Sequence, residues 1–435
     1  MRIGFFDGVR EIGGNKIIIE ENGEAILLDF GKRFAVNNTY FNDYLPGREW
    51  NSPYDYVKTG EFPPFRNFYK NPLPNDIETF DFEVKAVFFS HAHLDHIGLI
   101  DFINDRIPKY MSAYSREALS FFNERGIIGK TENVKIFEEP VKIGNFTIKA
   151  IPTDHDIPGS IATEIDTPKG KIFYTGDIYF HGRHKEKSEN FVKYASESKP
   201  YILITEGTRF GWGFVTSLTE DELKAQIFSL MEQCKGMVIG NPYEPHISRI
   251  QTFYELAKEN NRTFVMTLPY AYIVSRYAKI GDEVSQRILE DKNTFVYMPH
   301  RDLKEWEKNF EGKFINASDV SKEQKNIVFL LDFKSTPELL DIKPEKGTIY
   351  IHSGGEPLAS LDAENTKILN NWLNMFGIPY YRIHSPGHAA QPDLFRMVRE
   401  INPEILLPIH SQIPERFEIV SDRVKILERG ILYEF

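Results

Sequence analysis

The chain has 435 residues, of which 26% are charged and 41% hydrophobic, and its formal net charge at pH 7 is −11. No apolar run approaches the roughly 20 residues that span a bilayer, and the single cysteine, Cys234, excludes an internal disulfide and a thiolate zinc cluster. The acidic balance argues against indiscriminate binding of polyanions, and these features together favour a cytoplasmic protein with no membrane contact.

Short apolar runs recur along the chain, and each leads to a polar residue that can do chemistry. In chain order, these are 25–28 before Asp29, 86–89 before His91, 148–151 before His155, 172–174 before Asp177, 201–204 before Glu206, 380–383 before His384 and His388, and 405–409 before His410. Functional sites of α/β proteins form at the carboxyl ends of strands. The recurrence therefore predicts a site built at strand ends.

Helical spacing of apolar residues predicts helices between these strands. The predicted helices cover residues 115–124, 220–234, 363–376 and 392–401. Thr219 and Asp362 are the N-caps expected for the second and third of them. Strands that alternate with helices predict a layered α/β fold.

Residues 91–96, His-Ala-His-Leu-Asp-His, are the densest chemical motif in a chain with 12 histidines. In an extended loop, positions i and i+2 point the same way, so His91 and His93 can bind one metal ion. Asp95 and His96 can then turn toward a second. Nitrogen and oxygen ligands without thiolate suit zinc, manganese or iron. The alternative is a run of surface histidines with no ligand.

Residues 33–80 are rich in proline and aromatic residues and show little periodicity. One interpretation is an aromatic wall that stacks bases. The favoured interpretation is an irregular cover whose rings pack against the sheet.

Taken together, these motifs resemble the metallo-β-lactamase superfamily. Residues 91–96 are similar to its H-x-H-x-D-H motif, and Asp29, His155 and Asp177 resemble the first, third and fourth motifs. Further along, Glu206, His388 and His410 resemble the three motifs of the β-CASP branch, in which the chain looks most similar to the ribonuclease J family. The chain departs from the family pattern at Pro386, where the family has serine, and at Ser411 and Gln412, where the family has glycine and glutamate.

This resemblance implies an α/β fold, a metallo-β-lactamase αββα sandwich with an inserted α/β β-CASP domain. The expected boundaries are 1–207 and 381–435 for the two parts of the sandwich domain and 208–380 for the insert.

The resemblance also implies a two-metal centre and an acid. Two divalent ions are expected, zinc first and manganese or magnesium as alternatives. The expected ligands are His91, His93 and His155 for one ion, Asp95, His96 and His410 for the other, and Asp177 as the bridge. Asp29 would orient a ligand histidine. His388 would act as the general acid, held by Glu206, and the alternative is that this pair only joins the two domains.

A glycine-rich turn and two cationic side chains are weaker candidates for binding a substrate phosphate. They are Ser353, Gly354, Gly355, His384 and Arg249. The alternatives are an ordinary turn and a surface arginine on a helix.

The leading functional hypothesis is a metal-dependent ribonuclease that hydrolyses phosphodiester bonds of single-stranded RNA by a two-metal hydroxide mechanism. Endonuclease and 5′-to-3′ exonuclease activity are both open, as is a homo-oligomeric state. One alternative is a hydrolase or phosphodiesterase of the same fold that acts on DNA or a small molecule. Another is a non-catalytic RNA-binding scaffold.

Overall fold

The computed structural model describes residues 1–33, 39–41, 45, 47–48, 53–212, 217–308, 310–354 and 360–435. The chain forms two compact units, Met1–Thr216 with Gly387–Phe435, and Ser217–Pro386. These bounds differ by several residues from the expected 1–207, 208–380 and 381–435. None of the helices in the described ranges is long and apolar enough to cross a membrane.

The described ranges contain twenty strands. They are β1 Arg2–Asp7, β2 Lys16–Glu21, β3 Glu24–Leu28, β4 Glu83–Phe88, β5 Lys109–Met111, β6 Val134–Ile136, β7 Val141–Ile143, β8 Phe146–Pro152, β9 Ile161–Thr167, β10 Gly170–Tyr174, β11 Ile202–Glu206, β12 Val238–Pro242, β13 Thr263–Thr267, β14 Thr294–Tyr297, β15 Phe314–Ile315, β16 Ile327–Leu330, β17 Ile349–Ser353, β18 Tyr380–Arg382, β19 Ile405–Ile409 and β20 Leu432–Glu434.

The helices lie between them. They are α1 Tyr54–Lys58, α2 Leu94–Ile97, α3 Ala113–Glu124, α4 Lys185–Ser198, α5 Glu220–Gln233, α6 Ile247–Glu259, α7 Leu268–Lys279, α8 Glu283–Glu290, α9 Glu305–Lys308, α10 Ala317–Lys322, α11 Leu339–Ile342, α12 Ser360–Phe376 and α13 Gln391–Ile401, with 3₁₀ turns at Ile100–Phe102, Thr208–Trp212, Gln324–Asn326, Phe333–Glu338 and Pro414–Ile419. Thr219 caps α5 in a capping box, as expected. The prediction for Asp362 is wrong, because α12 begins at Ser360 and places Asp362 inside the helix.

In the first unit, two sheets pack face to face. One has the order β20-β1-β2-β3-β4-β5-β6, and the other has the order β19-β11-β10-β9-β8-β7. Ile3 and Phe5 of β1 join Ile165 and Ile172 of the second sheet in one buried core, as the alternation of side chains along a strand requires. Helices α4 and α13 cover the outer face of the second sheet. The α/β sandwich prediction is confirmed.

The outer face of the first sheet carries packed aromatic rings. Phe6 points away from the inter-sheet core and meets Phe65 edge-on, with ring centroids 5.0 Å apart. Phe62, Phe68 and Tyr69 are also buried. Among the described residues of the 33–80 segment, these rings therefore serve packing, the favoured interpretation. Tyr44 and Trp50 lie outside the described residues.

In the second unit, a seven-stranded sheet has the order β15-β14-β13-β16-β12-β17-β18. All its described pairings are parallel. Every residue of β16 is buried, as is typical of a parallel strand covered on both faces.

Strand direction sets the position of the candidate site in the first unit. β10, β11 and β19 are mutually parallel neighbours, so their carboxyl ends share one edge. Asp177, Glu206 and His410 lie at that edge. On the facing sheet, β3 and β4 are parallel and end just before Asp29 and His91.

Candidate metal centre

The first ligand group consists of three imidazoles and one carboxylate. The loop after β4 places His91 in the interior, and His93 precedes the first turn of α2. His93 Nδ1 lies 3.1 Å from His91 Nε2 and 3.1 Å from His155 Nε2. Asp177 Oδ2 lies 3.6 Å from His91 Nε2. The four residues bring one potential ligand atom each within 4.8 Å of one another.

The second group shares Asp177 with the first. His96 Nε2 lies 3.1 Å from Asp177 Oδ2, and His410 Nε2 lies 3.0 Å from Asp95 Oδ2. Asp95, His96, Asp177 and His410 are all buried and also fall within 4.8 Å of one another. The structure thus gathers the expected ligands into the two expected groups, with Asp177 common to both.

Most of these histidines are fixed through the ring nitrogen that faces away from the group. His96 Nδ1 donates to Asp29 Oδ2 at 2.8 Å, and His155 Nδ1 donates to the Gly387 carbonyl. The Ser90 hydroxyl gives its hydrogen to Asp29 Oδ2, so its oxygen accepts from His91 Nδ1 at 3.0 Å. Each of these rings therefore directs Nε2 at its neighbours in the group, and in a neutral ring that nitrogen carries a lone pair.

Thr208 plays the same part for His410. Its hydroxyl donates its one hydrogen to Glu206 Oε2, so its oxygen accepts from His410 Nδ1 at 2.8 Å. Thr208 is almost fully buried. One hydroxyl consequently fixes the tautomer of a ligand histidine and one oxygen of the Glu206 carboxylate.

Asp29 accepts several of the hydrogen bonds that hold the candidate ligand residues in place. Besides His96 and Ser90, it accepts from the Tyr174 hydroxyl at 2.7 Å and, through Oδ1, from the Ser90 amide at 2.8 Å. Its backbone φ is 58°, and that of His410 is 52°. Left-handed backbone at two non-glycine residues is uncommon and turns both side chains from the strand ends into the site.

Burial and neighbouring charges set the protonation of the ligands. Burial lowers the pKa of His91 well below its usual value and that of His93 to about 4, so both rings are neutral. Burial opposes charge on His96 as well, but the Asp177, Asp95 and Asp29 carboxylates outweigh it and raise the pKa of His96 well above its usual value. In the protein without metal, a proton on His96 thus takes the place of a cation among these carboxylates.

The donor set fits divalent metal ions. Ring nitrogens converge to about 3.1 Å in the first group, an arrangement that a shared cation stabilises. Asp177 Oδ1 is buried and has no hydrogen-bond donor, which is the state of an oxygen available to a metal. Nitrogen and oxygen ligands suit zinc and manganese.

Glu206 and His388 form a second feature beside the ligands. His388 Nδ1 lies 2.9 Å from Glu206 Oε2, and Glu206 Oε1 accepts the Ile178 amide at 2.9 Å. Burial disfavours charge on His388, but the Glu206 and Asp177 carboxylates outweigh burial and raise its pKa to about 9. The pair is fixed with a protonated imidazole whose Nε2–H is directed away from Glu206.

The phosphate-binding candidates lie in the second unit, and the prediction for Arg249 is wrong. Arg249 is fully buried, and its guanidinium binds both Glu220 oxygens and the Ser353 carbonyl and hydroxyl. Ser353 donates its own hydroxyl to Ile383, so neither side chain presents a polar group to a ligand. His384 is half-buried, Gly354 is buried, and Gly355 lies outside the described residues.

Sequence reasoning missed Ser90, Tyr174 and Thr208. Ser90 directly precedes His91, and Thr208 lies two positions after Glu206. Hydroxyl side chains so close to predicted site residues could have been identified as their hydrogen-bond partners. Tyr174 ends the apolar run 172–174, where a tyrosine hydroxyl gives no separate signal.

Comparisons with known proteins agree with the motifs. Residues 64–192 match the family model described as Beta-lactamase superfamily domain. The chain is 25% identical to Ribonuclease J of Pyrococcus abyssi (strain GE5 / Orsay), over 93% of this chain and 88% of that protein. It is 26% identical to Ribonuclease J of Mycoplasma genitalium, over 98% and 72% of the two chains.

A solved structure supports the fold alone. The crystal structure of a protein of unknown function from Enterococcus faecalis V583 superposes with a TM-score of 0.78 at 22% identity and covers 99% of both chains. The family match and the relatives confirm the resemblance that the motifs indicated.

Proposed function

Because this chain is a ribonuclease J-like protein of the metallo-β-lactamase superfamily and a metal-dependent hydrolase, we propose that it cleaves phosphodiester bonds of single-stranded RNA. The observation that carries the proposal is the pairing of two complete ligand groups with the fixed Glu206–His388 pair. The relatives named Ribonuclease J support RNA as the substrate.

The ligand groups would hold two divalent ions, with zinc expected first and manganese or magnesium as alternatives. The residues that would hold them are His91, His93 and His155 for one ion, Asp95, His96 and His410 for the other, and Asp177 for both. When bound, such a pair neutralises charge on the phosphoryl group and lowers the pKa of water. Asp29, Ser90 and Thr208 keep the ligand nitrogens in place.

His388 supplies the proton that the departing 3′-oxygen needs. Glu206 accepts from His388 Nδ1, which leaves the Nε2–H for the substrate, and it balances the charge of the imidazolium. The Ile178 amide and the Thr208 hydroxyl hold the two Glu206 oxygens, so the pair stays in one orientation. The side chain of His388 is 15% exposed, which leaves its ring open to a ligand.

The test is cleavage of a 5′-labelled single-stranded RNA by the wild type, by His388→Ala and by His184→Ala. His184 lies in the same unit and is half-exposed, and it serves as the matched control. With zinc or manganese present, we expect His388→Ala to lower kcat by about 10²–10⁴-fold with metal content retained, and His184→Ala to match the wild type.

The same assay separates the alternatives. Full activity in His388→Ala would remove His388 from the acid role. A metal-loaded wild type that spares RNA but cuts DNA of the same sequence, or neither, would favour the other hydrolase functions. A wild type that binds no metal would favour a scaffold. Release of mononucleotides from the 5′ end would identify exonuclease activity, and internal fragments would identify endonuclease activity.

A further inference from the structure

His93 is held differently from the other ligand histidines. His91, His96, His155 and His410 each use Nδ1 for a hydrogen bond to the protein and direct Nε2 at their neighbours. His93 is reversed, because its Nδ1 lies 3.1 Å from the Nε2 atoms of both His91 and His155. If Nδ1 is the ligand atom, Nε2 carries the hydrogen and needs an acceptor.

A carboxylate lies next to that nitrogen. Asp156 Oδ1 is 3.3 Å from His93 Nε2 and 3.3 Å from His155 Nε2. Asp156 follows His155 directly in the chain and is buried. No metal-binding or catalytic motif singled it out, since a carboxylate beside a ligand histidine has no required spacing.

The backbone of residue 387 confines this carboxylate. A Cβ added at Gly387 would lie 2.6 Å from Asp156 Oδ2 and 2.7 Å from its carboxyl carbon. The carbonyl of the same Gly387 accepts from His155 Nδ1. One glycine therefore leaves space for Asp156 and fixes His155, so the positions of the two neighbouring side chains are set together.

We propose that Asp156 is the positioning residue of the first metal group, whose carboxylate lies beside Nε2 of both His93 and His155 and adds negative charge there. This inference rests on the metal ligands of the proposed function. His155 gives Nδ1–H to Gly387, and its Nε2 lies 3.3 Å from the Asp156 oxygen. A carboxylate at this distance from two ligand nitrogens adds negative potential where they converge, so it favours a bound metal ion.

The test is the metal affinity of Asp156→Asn and Asp156→Ala, measured by competition with a chromophoric chelator for zinc and for manganese. Asp101→Asn is the matched control, because Asp101 is also a buried carboxylate of the first unit but accepts the Gly129 amide. We expect about 10–100-fold weaker binding of one of the two ions, larger for Ala than for Asn, and unchanged binding in Asp101→Asn.

A spectrum separates positioning from a general loss of structure. Cobalt titrated into each variant should give a changed visible absorption for the ion held by His93, while circular dichroism of the metal-free proteins stays the same. Wild-type affinity and an unchanged cobalt spectrum in Asp156→Ala would overturn the proposal, as would a wild type that binds no divalent ion. A wild type that binds metal but does not cleave RNA would overturn the ribonuclease function. The metal affinities of the Asp156 variants would still decide the role of Asp156.

Discussion

Replacement of Thr208 by valine tests whether one hydroxyl links the second metal group to the Glu206–His388 pair. Valine keeps the shape of the side chain but removes the donor to Glu206 and the acceptor for His410 Nδ1. Both groups are buried, and each unmade hydrogen bond costs about 1–3 kcal/mol. We therefore expect Thr208→Val to lower the free energy of unfolding by about 1–3 kcal/mol, because His410 Nδ1 loses its acceptor while Glu206 Oε2 still accepts from His388.

The variant should also weaken the function of the site. A His410 ring without its acceptor can change tautomer or rotate, and loss of such a partner typically costs about 10–100-fold in metal affinity or activity. Thr208→Ser is the matched control, because it keeps the hydroxyl and loses one methyl group, worth about 1 kcal/mol. Urea unfolding followed by circular dichroism, chelator competition and kcat on RNA are the measurements.

Two outcomes bear on the reasoning directly. Restored metal affinity and kcat in Thr208→Ser, together with their loss in Thr208→Val, would assign the effect to the hydroxyl. A valine variant that binds both ions as tightly as the wild type and keeps its kcat would refute the link between Thr208 and the site.

Two further changes test close packing and buried charge in the first unit. Gly387→Ala should lower metal affinity, because the new methyl meets the Asp156 carboxylate at 2.6 Å, whereas Gly211→Ala, whose nearest neighbour would lie at 3.5 Å, should leave chelator competition unchanged. Equal affinities in the two variants would contradict the packing argument. Lys16→Met should lower the free energy of unfolding by about 1–3 kcal/mol, because it removes a buried ammonium from Asp7 and from two backbone carbonyls while Asp7 keeps Arg33 and Arg429 as partners. A loss below about 1 kcal/mol, as for a surface pair, would contradict it.

The ligand residues could be predicted because their signal is local. Four of them lie within residues 91–96, where spacing alone places alternate side chains on one side of a loop. Asp177 and His410 each follow an apolar run, and parallel strands bring such positions to one edge. The layered α/β class follows from the same alternation of strands and helices.

Features that depend on distant partners could not be predicted. Arg249 is buried by its hydrogen bonds to Glu220 and Ser353, which are 29 and 104 positions away. No local sequence pattern indicates these partners. The order of the sheets has the same origin, since β1 pairs with β20 from the far end of the chain. Asp156 lies beside His93 only in the folded chain, so its neighbours in the sequence give no signal for this contact.

The hydrogen bonds behind the ligands set a time at which the centre can form during synthesis. The acceptor for His155 Nδ1 is the Gly387 carbonyl, 232 positions later. The ligand histidine that Thr208 holds, His410, lies 202 positions after Thr208. When the early strands of the first unit and the whole second unit have been synthesised, Gly387 and His410 have not. We therefore expect a nascent chain to carry the His91–His96 motif without a complete pocket for either ion, and to bind metal only after Gly387 and His410 are in place.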